Sequence, residues 1–527
     1  MNESIAERIR QRLDDEFNLN KQSADGKWLQ GGTCPGCDKK ELFTRYENPW
    51  VIRCGRESKC GYEGHVKDLY PDAFENFNKR FQPTEKSPNA TADAYLKEMR
   101  GFDIGKIKGW YEQGKFWSQA DNSGTATVRF YLDAARTIHM ERFVEEILVT
   151  DKHGEKKKRK AHFKGSHQGM AWAPPGMEIK EGDEVWIVEA ILDAIALALN
   201  GIKAVAILSC VNYPRLLLEQ HKGQDITWVW ALDNDKAGRK WIRRHVKRMR
   251  AEGVYDIKAA LPPSDRNKLD WNDLHQREAF SKKNIDDYFY YGELVLAESA
   301  KQKALTIYNY KNKRDFYLDY DNRVYWFNLD VDKFDKKMRK LEEAQEEGKT
   351  LSDKELRDKA LEDTLSCVEI ANCKFTFLYF QANLITDESW YYARVEFPHG
   401  GKAVKNTFTG GQLSSSSEFK KRLLSIAAGS LFTGESRQLD RIIQDQLYAL
   451  KIVQTVDFLG YSNEHGCYVF KDIAVKGGQV FPINDEDFFD IGKLSTKCLS
   501  QSTELSITQD KTKYQTEWVK QLYGAFG

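Results

Sequence analysis

The sequence predicts a multidomain α/β protein: a small β module, then a parallel α/β core, then a mixed α+β carboxy-terminal domain with a helical hairpin. Three observations carry that prediction. The length of 527 residues exceeds what one hydrophobic core serves. Four of the nine cysteines fall between Cys34 and Cys60, amid short strand-like aromatic stretches. Apolar runs at Val185 to Val188, Ala204 to Ser209 and Thr227 to Leu232 alternate with helical stretches, the rhythm of a parallel sheet.

In chain order, residues 1–25 read as an amphipathic amino-terminal helix and connector, and residues 26–70 as the cysteine-bearing module. Residues 71–95 read as a linker, because Phe81-Gln-Pro-Thr-Glu-Lys-Ser-Pro88 concentrates prolines and polar residues. Residues 96–179 form a basic segment. Its pattern is helical from Ala92 to Gln113, followed by paired strands, Thr125 to Leu132 and Thr137 to Phe143, ahead of a cationic run. Residues 180–285 are the α/β unit. Within residues 290–527, Phe334 to Glu347 and Ser352 to Ile370 predict a helical hairpin whose second helix opens with a Ser352-x-x-Glu355 capping box.

The composition is 41% hydrophobic and 30% charged with a net charge of +1, so no global basicity points to a nucleic-acid partner. Basic charge is local: five consecutive cations at Lys156 to Lys160, and a second stretch from Lys236 to Arg250. No run of about twenty apolar residues and no secretion signal appears, which predicts a cytoplasmic protein with no membrane partner. The remaining cysteines, Cys210, Cys367, Cys373, Cys467 and Cys498, are scattered as buried thiols of a reducing compartment would be.

Cys34-Pro-Gly-Cys37 and Cys54-x5-Cys60 set two knuckles sixteen residues apart. Turns of a small sheet can bring four such thiolates into the tetrahedron that zinc accepts, and a closed site of this kind is structural. The second loop is wide, which leaves His65 as an alternative ligand. Lys39, Lys40, Arg45, Arg53, Arg56 and Lys59, interleaved with Phe43, Tyr46 and Trp50, would also suit a single nucleic-acid strand, although the aromatic residues double as core.

Glu189 follows the strand Val185 to Val188, and Asp193 lies four residues on, on the same face if a helix starts here. Asp233 and Asp235 follow the strand Thr227 to Leu232, pointing the same way in extended backbone. Carboxylates crowded at adjacent strand ends repel one another unless divalent cations sit among them, and hard oxygen ligands select Mg2+ or Mn2+. Gly238 supplies tight packing and Arg239 a cation for phosphate.

These residues resemble the Toprim family of bacterial-type primases, topoisomerases and certain nucleases. The family pattern, a glutamate after one strand and an Asp-x-Asp pair after a later one, is matched by Glu189 and by Asp233 with Asp235. The resemblance implies a Toprim-type parallel α/β primase core, with Glu189 a magnesium ligand or general acid/base, Asp193 a supporting acid, and Asp233 and Asp235 the magnesium-binding pair. Lys268-Leu-Asp270-Trp-Asn-Asp273 resembles the downstream Lys-Asp-x-Asn segment, which makes Asp270 a further ligand. Ala190 stands where the family has glycine.

The order of zinc ribbon, basic β segment and Toprim, with Pro88 to Leu96 and Arg100-Gly-Phe102, resembles phage and bacterial primases and primase-helicases over residues 26–280. It implies a DNA primase making short RNA primers on single-stranded DNA from ribonucleoside triphosphates, with structural Zn2+ and catalytic Mg2+ or Mn2+. A replicative helicase domain or subunit is the implied partner, and a homo-oligomer stays open. Arg142, Lys156, Lys157, Lys158, Arg159, Lys160 and Lys164 would then grip template and triphosphates, with Lys236 and Arg239 beside the acid pair. The only Gly-Lys-Thr, Gly348 to Thr350, lacks the earlier glycine of a phosphate loop, and the sequence stops at Gly527 without a terminating element, as a chain continuing into a motor would. Two other readings use the same residues: a metal-dependent nuclease, and a non-catalytic single-strand-binding replication factor.

Overall fold

The computed structural model describes residues 5–498 apart from 121, 151–153, 264–268, 346–351, 383–388, 399–400, 449, 457–459, 464–465, 471–472, 483–488 and 492–493. Lys268, Gly348 to Thr350 and the carboxy-terminal end thus lie outside the described residues. The chain divides into two units, Met1–Ala297 and Glu298–Gly527.

In the first unit, helix α1 (Ile5–Phe17) buries Ile5, Ile9 and Leu13, an i, i+4, i+8 stripe. An antiparallel meander follows: β1 (Lys21–Gln22), β2 (Trp28–Gly32), β3 (Leu42–Arg45), β4 (Val51–Cys54) and β5 (Glu63–His65). Residues 71–95, expected as a linker, instead carry helical turns, among them α3 (Phe77–Arg80) and α4 (Ala90–Ala94), after a short α2 (Val66–Leu69). Phe77, Ala92 and Tyr95 join one core with Leu42 and Ile52 of the ribbon and with Trp186 and Val188. The helix expected to reach Gln113 gives way earlier: a π turn spans Tyr95–Met99, and Gly101 and Gly109 take positive φ, +72° and +84°, which breaks helical continuation.

A second antiparallel meander holds β6 (Glu112–Ser118), β7 (Ser123–Tyr131), β8 (His139–Thr150) and β9 (Lys156–Lys164). The cationic run is therefore an edge strand. Next come β10 (Glu184–Val188), α5 (Ile191–Leu199), β11 (Ala204–Ala206), α6 (Arg215–Gln220), β12 (Thr227–Trp230), α7 (Lys236–Ala251) and β13 (Ile257–Ala259). The four strands pair in parallel in the order β11-β10-β12-β13, so Glu189 and Asp233 leave neighbouring strands at the same edge. Val185 to Val188 are all buried, as a strand covered on both faces requires. Helices α8 (Trp271–Gln276) and α9 (Lys282–Leu296) close the sheet, Trp186 packing edge-on against Trp271 and Phe289.

In the second unit, helix Ala300–Lys311 packs on a three-stranded antiparallel sheet of Asp315–Tyr320, Arg323–Leu329 and Leu365–Ala371. The expected helical hairpin forms from Val331–Gln345 and Asp353–Thr364. Its second helix ends at Thr364, not Ile370, because Leu365–Ala371 pairs with Arg323–Leu329 as a strand. A six-stranded mixed sheet then carries helices Ser416–Ile426 and Ser436–Leu447, whose Phe419 and Leu439 share a core with Phe375 and Phe408. Among the described residues no helix is long and apolar enough to cross a membrane.

Candidate active site

The acids gather where β10 and β12 end. Glu189 lies just past β10, and α5 begins only at Ile191, so Glu189 and Asp193 do not share a helical face. Asp193, in the first turn of α5, is 3% exposed, and its Oδ1 accepts the Asn272 backbone N–H at 3.1 Å. Asp233 and Asp235 turn around a 2.8 Å bond from the Asp235 N–H to the Asp233 carbonyl. Asp235 then caps α7, its Oδ1 accepting the Gly238 N–H at 2.7 Å. Asp270 caps α8 in a reciprocal box, its Oδ1 accepting from the Asp273 N–H at 2.6 Å while the Asp273 Oδ2 accepts the Asp270 N–H at 3.1 Å. Gly238 is required by the close approach: a Cβ there would stand 2.0 Å from the Asp233 carbonyl oxygen.

Burial and neighbouring charges raise three of these carboxyls. Burial, then the charges of Asp270 and Asp233, hold Asp193 well above the usual carboxylate range. Burial and the Asp273 charge push Asp270 up to about 6, against the opposing charge of Arg100. Glu189 is raised by burial and by Asp235, while the Cys210 backbone N–H favours its charged form. The charges of Asp270 and Asp233 act on Asp193, and that of Asp235 acts on Glu189.

Arg100 and Lys67, to which sequence reasoning gave no role, complete the site together with the expected Arg142. Arg100, quoted in the sequence only as part of Arg100-Gly-Phe102, donates Nε (3.1 Å) and Nη2 (2.8 Å) to the Tyr95 hydroxyl oxygen. Arg142 of β8 donates its Nε to the same oxygen at 3.2 Å. Tyr95 is 2% exposed; burial raises its phenol, but the two guanidiniums outweigh that and bring it down to about 8. Arg100 also reaches the Asn272 Oδ1 at 3.4 Å, beside Asp193 and Asp270. Lys67 donates to the Met99 carbonyl nearby, and burial, with the Arg100 charge, lowers it to about 8. Tyr95 and Arg100 lay within the quoted segments Pro88 to Leu96 and Arg100-Gly-Phe102; Lys67 had no signal.

The expected nucleic-acid residues are placed less uniformly. On β9 successive side chains alternate faces, which splits Lys156, Lys158 and Lys160 from Lys157 and Arg159. Lys156 donates to the Ala120 carbonyl at 2.6 Å, Lys157 pairs with Glu155 at 2.7 Å, and Lys160 pairs with Glu146 at 3.1 Å. Lys158, Arg159 and Lys164 are exposed. None of these bonds to the acidic group among the described residues, whereas Arg142 reaches it through Tyr95 and Arg100. Lys236 is exposed in the first turn of α7, and Arg239 donates to the Asn234 Oδ1 at 2.8 Å.

The ribbon's four thiols converge. Cys34 and Cys60 sulfurs lie 3.7 Å apart, those of Cys37 and Cys54 3.8 Å, and all four lie within 4.8 Å of one another. Zinc–sulfur bonds of about 2.3 Å in a tetrahedron put sulfurs ~3.8 Å apart, so the set fits zinc. His65 is engaged elsewhere: its Nδ1 accepts the Lys67 backbone N–H at 3.2 Å and its Nε2 meets the Gln276 Oε1 at 3.1 Å. Among the described residues the thiols are the only group whose ligand atoms lie this close; the acids are spaced more widely.

Residues 186–275 match the Toprim-like family. This segment is Toprim-like. The chain is also similar to the Escherichia coli primase catalytic core, at 17% identity and a TM-score of 0.30, covering 43% of this chain and 82% of that one. For the Aquifex aeolicus primase zinc-binding and RNA polymerase domains the values are 15%, 0.24, 59% and 97%. For the primase fragment of the bacteriophage T7 primase-helicase they are 14%, 0.24, 50% and 99%. No curated protein sequence matches the chain.

Proposed function

We propose that this chain is a DNA primase that joins ribonucleotides into short RNA primers on single-stranded DNA. The observation that carries the reading is the acidic group at the ends of neighbouring parallel strands β10 and β12, with Arg100 held against it by Tyr95. The donor set is all carboxylate oxygen, which hard divalent cations select, and the burial that raises Glu189, Asp193 and Asp270 is a cost that Mg2+ or Mn2+ relieves. Asp233 and Asp235 would hold them, with Asp193 and Asp270 behind and Glu189 left to take a proton. When bound, such ions lower the charge barrier to phosphoryl transfer and orient the attacking hydroxyl.

The chain's own residues do the rest. Arg100 and Arg142 neutralise the triphosphate as the 3′-oxygen of one nucleotide bonds to the α-phosphorus of the next and pyrophosphate leaves. Glu189, with its affinity for a proton raised by burial, accepts the proton of that hydroxyl. Lys236 and Arg239 attract phosphate beside the acid pair, and the cationic edge of β9 holds the template. Zinc on Cys34, Cys37, Cys54 and Cys60 fixes the ribbon. The setting is replication of phage or mobile-element DNA alongside a replicative helicase, in the cytoplasm.

Incubation with single-stranded DNA, labelled ribonucleotides and Mg2+ or Mn2+ decides the matter. Short RNA of defined length supports the reading. Shortened templates would mean a nuclease, and templates bound but left uncopied a binding factor.

A further inference from the structure

Helix α7 carries more positive charge than the acid site uses. Its sixteen residues contain eight Lys or Arg and no Asp or Glu, in a chain whose net charge is +1. Gly238, Ile242, His245, Val246 and Met249 are buried against the sheet. Lys236, Lys240, Arg243 and Lys247 are exposed at i, i+4, i+7 and i+11, which sets them in one axial row about 16 Å long. Lys236, Lys240 and Lys247 make no ion pair among the described residues, while Arg243 donates its Nε to the Val295 carbonyl at 3.1 Å. Arg248 is tied to Glu252 at 2.8 Å.

This arrangement costs the helix stability. Lys236, Arg239 and Lys240 crowd the end of the helix where its dipole disfavours cations. Five like-charged i, i+4 pairs, beginning with Lys236 and Lys240 and ending with Arg244 and Arg248, repel one another. An ordinary solvated face would intersperse acids.

We infer that the exposed face of α7 is a phosphate-backbone track for the duplex formed by the new primer and its template, an inference that rests on the primase reading. The row starts one residue past Asp235 and runs away from the acid site on a rigid rod. It offers charge without stacking platforms. Trp241 is occupied, its ring stacked on His245 at 5.4 Å and covered by Arg244 at 4.9 Å. Binding of a single strand draws on exposed aromatic rings, whereas a duplex hides its bases and presents backbone charge.

The test uses the full chain and the variant Lys240→Gln/Lys247→Gln, which spares every residue assigned to the acid site. Dinucleotide formation is measured beside binding of a preformed RNA–DNA hybrid over a salt series. Expected are an unchanged dinucleotide rate, hybrid affinity at least tenfold weaker, and a salt dependence shallower by roughly 0.9 per lost phosphate contact. Lys240→Arg/Lys247→Arg should bind as the wild type does. Unchanged hybrid affinity in the glutamine variant would overturn the inference, and so would an equal loss for unpaired DNA. If the wild-type chain forms no dinucleotide, the primase reading fails, while hybrid binding lost in the variant still sustains the surface.

Discussion

Tyr95 gathers three guanidinium N–H groups on one buried oxygen, and its loss tests how the site holds phosphate. Tyr95→Phe keeps the ring against Phe77 but frees Arg100 and Arg142. Such charge-assisted bonds are worth about 1.5–3 kcal/mol, so ribonucleotide KM should rise about tenfold or more, with a smaller fall in kcat. The pH dependence has a definite sign. The Tyr95 phenol is held at about 8 in the fold against its ordinary value of 10, so its stabilising contribution is full above pH 10 and is lost as pH falls through 8. Denaturation of wild type and Tyr95→Phe between pH 7 and 10 should therefore diverge as pH rises, the wild type gaining. Gly238→Ala drives a methyl into the Asp233 carbonyl, a backbone atom that cannot rotate away. Displacement by about 1 Å at such a site costs on the order of a hundredfold in rate, measurable by dinucleotide synthesis. Gly238 and the aspartates were legible because their spacing is local. The Tyr95 hub was not, because Arg142 lies 47 residues from Tyr95 and only the fold joins them.

At the scale of elements, the two knuckles were legible for the same reason, but the choice between Cys60 and His65 needed coordinates. A metal assay of purified variants checks it: His65→Ala should retain one zinc per chain, and Cys60→Ala should lose it, with the ribbon becoming sensitive to protease. Helix ends were harder to read. Propensity in Ala92 to Gln113 favoured a helix, yet the glycines at 101 and 109 adopt positive φ and the chain turns into β6. Prolines and polar residues around Phe81 suggested a linker because composition does not register isolated anchors such as Phe77 and Tyr95. After Thr364, a local helical pattern yields to strand pairing with Arg323–Leu329, a long-range contact that no window contains. Gly292 of α9 shows a similar constraint: a Cβ there would lie 1.8 Å from the Ala259 carbonyl oxygen. Gly292→Ala should lower thermal stability by the 1–3 kcal/mol typical of overpacking, or more, read by calorimetry.

Across the whole molecule, the alternation of strands and helices at residues 180–285 made the parallel sheet legible, and its topology places Glu189 and Asp233 on adjacent strands. The first unit contains both the four-thiol ribbon and the acidic group, so it should carry nucleotide joining. The second unit, with its antiparallel and mixed sheets, holds no motif whose chemistry its sequence declares. On the proposed function, the acids at this sheet edge join ribonucleotides on a DNA template. It is tested most directly by primer synthesis on single-stranded DNA with Mg2+ or Mn2+, comparing the wild type with Asp233→Ala/Asp235→Ala. Discrete short RNA is expected from the wild type and at least about a hundredfold less from the variant, with template binding retained. Equal synthesis by both proteins would contradict it.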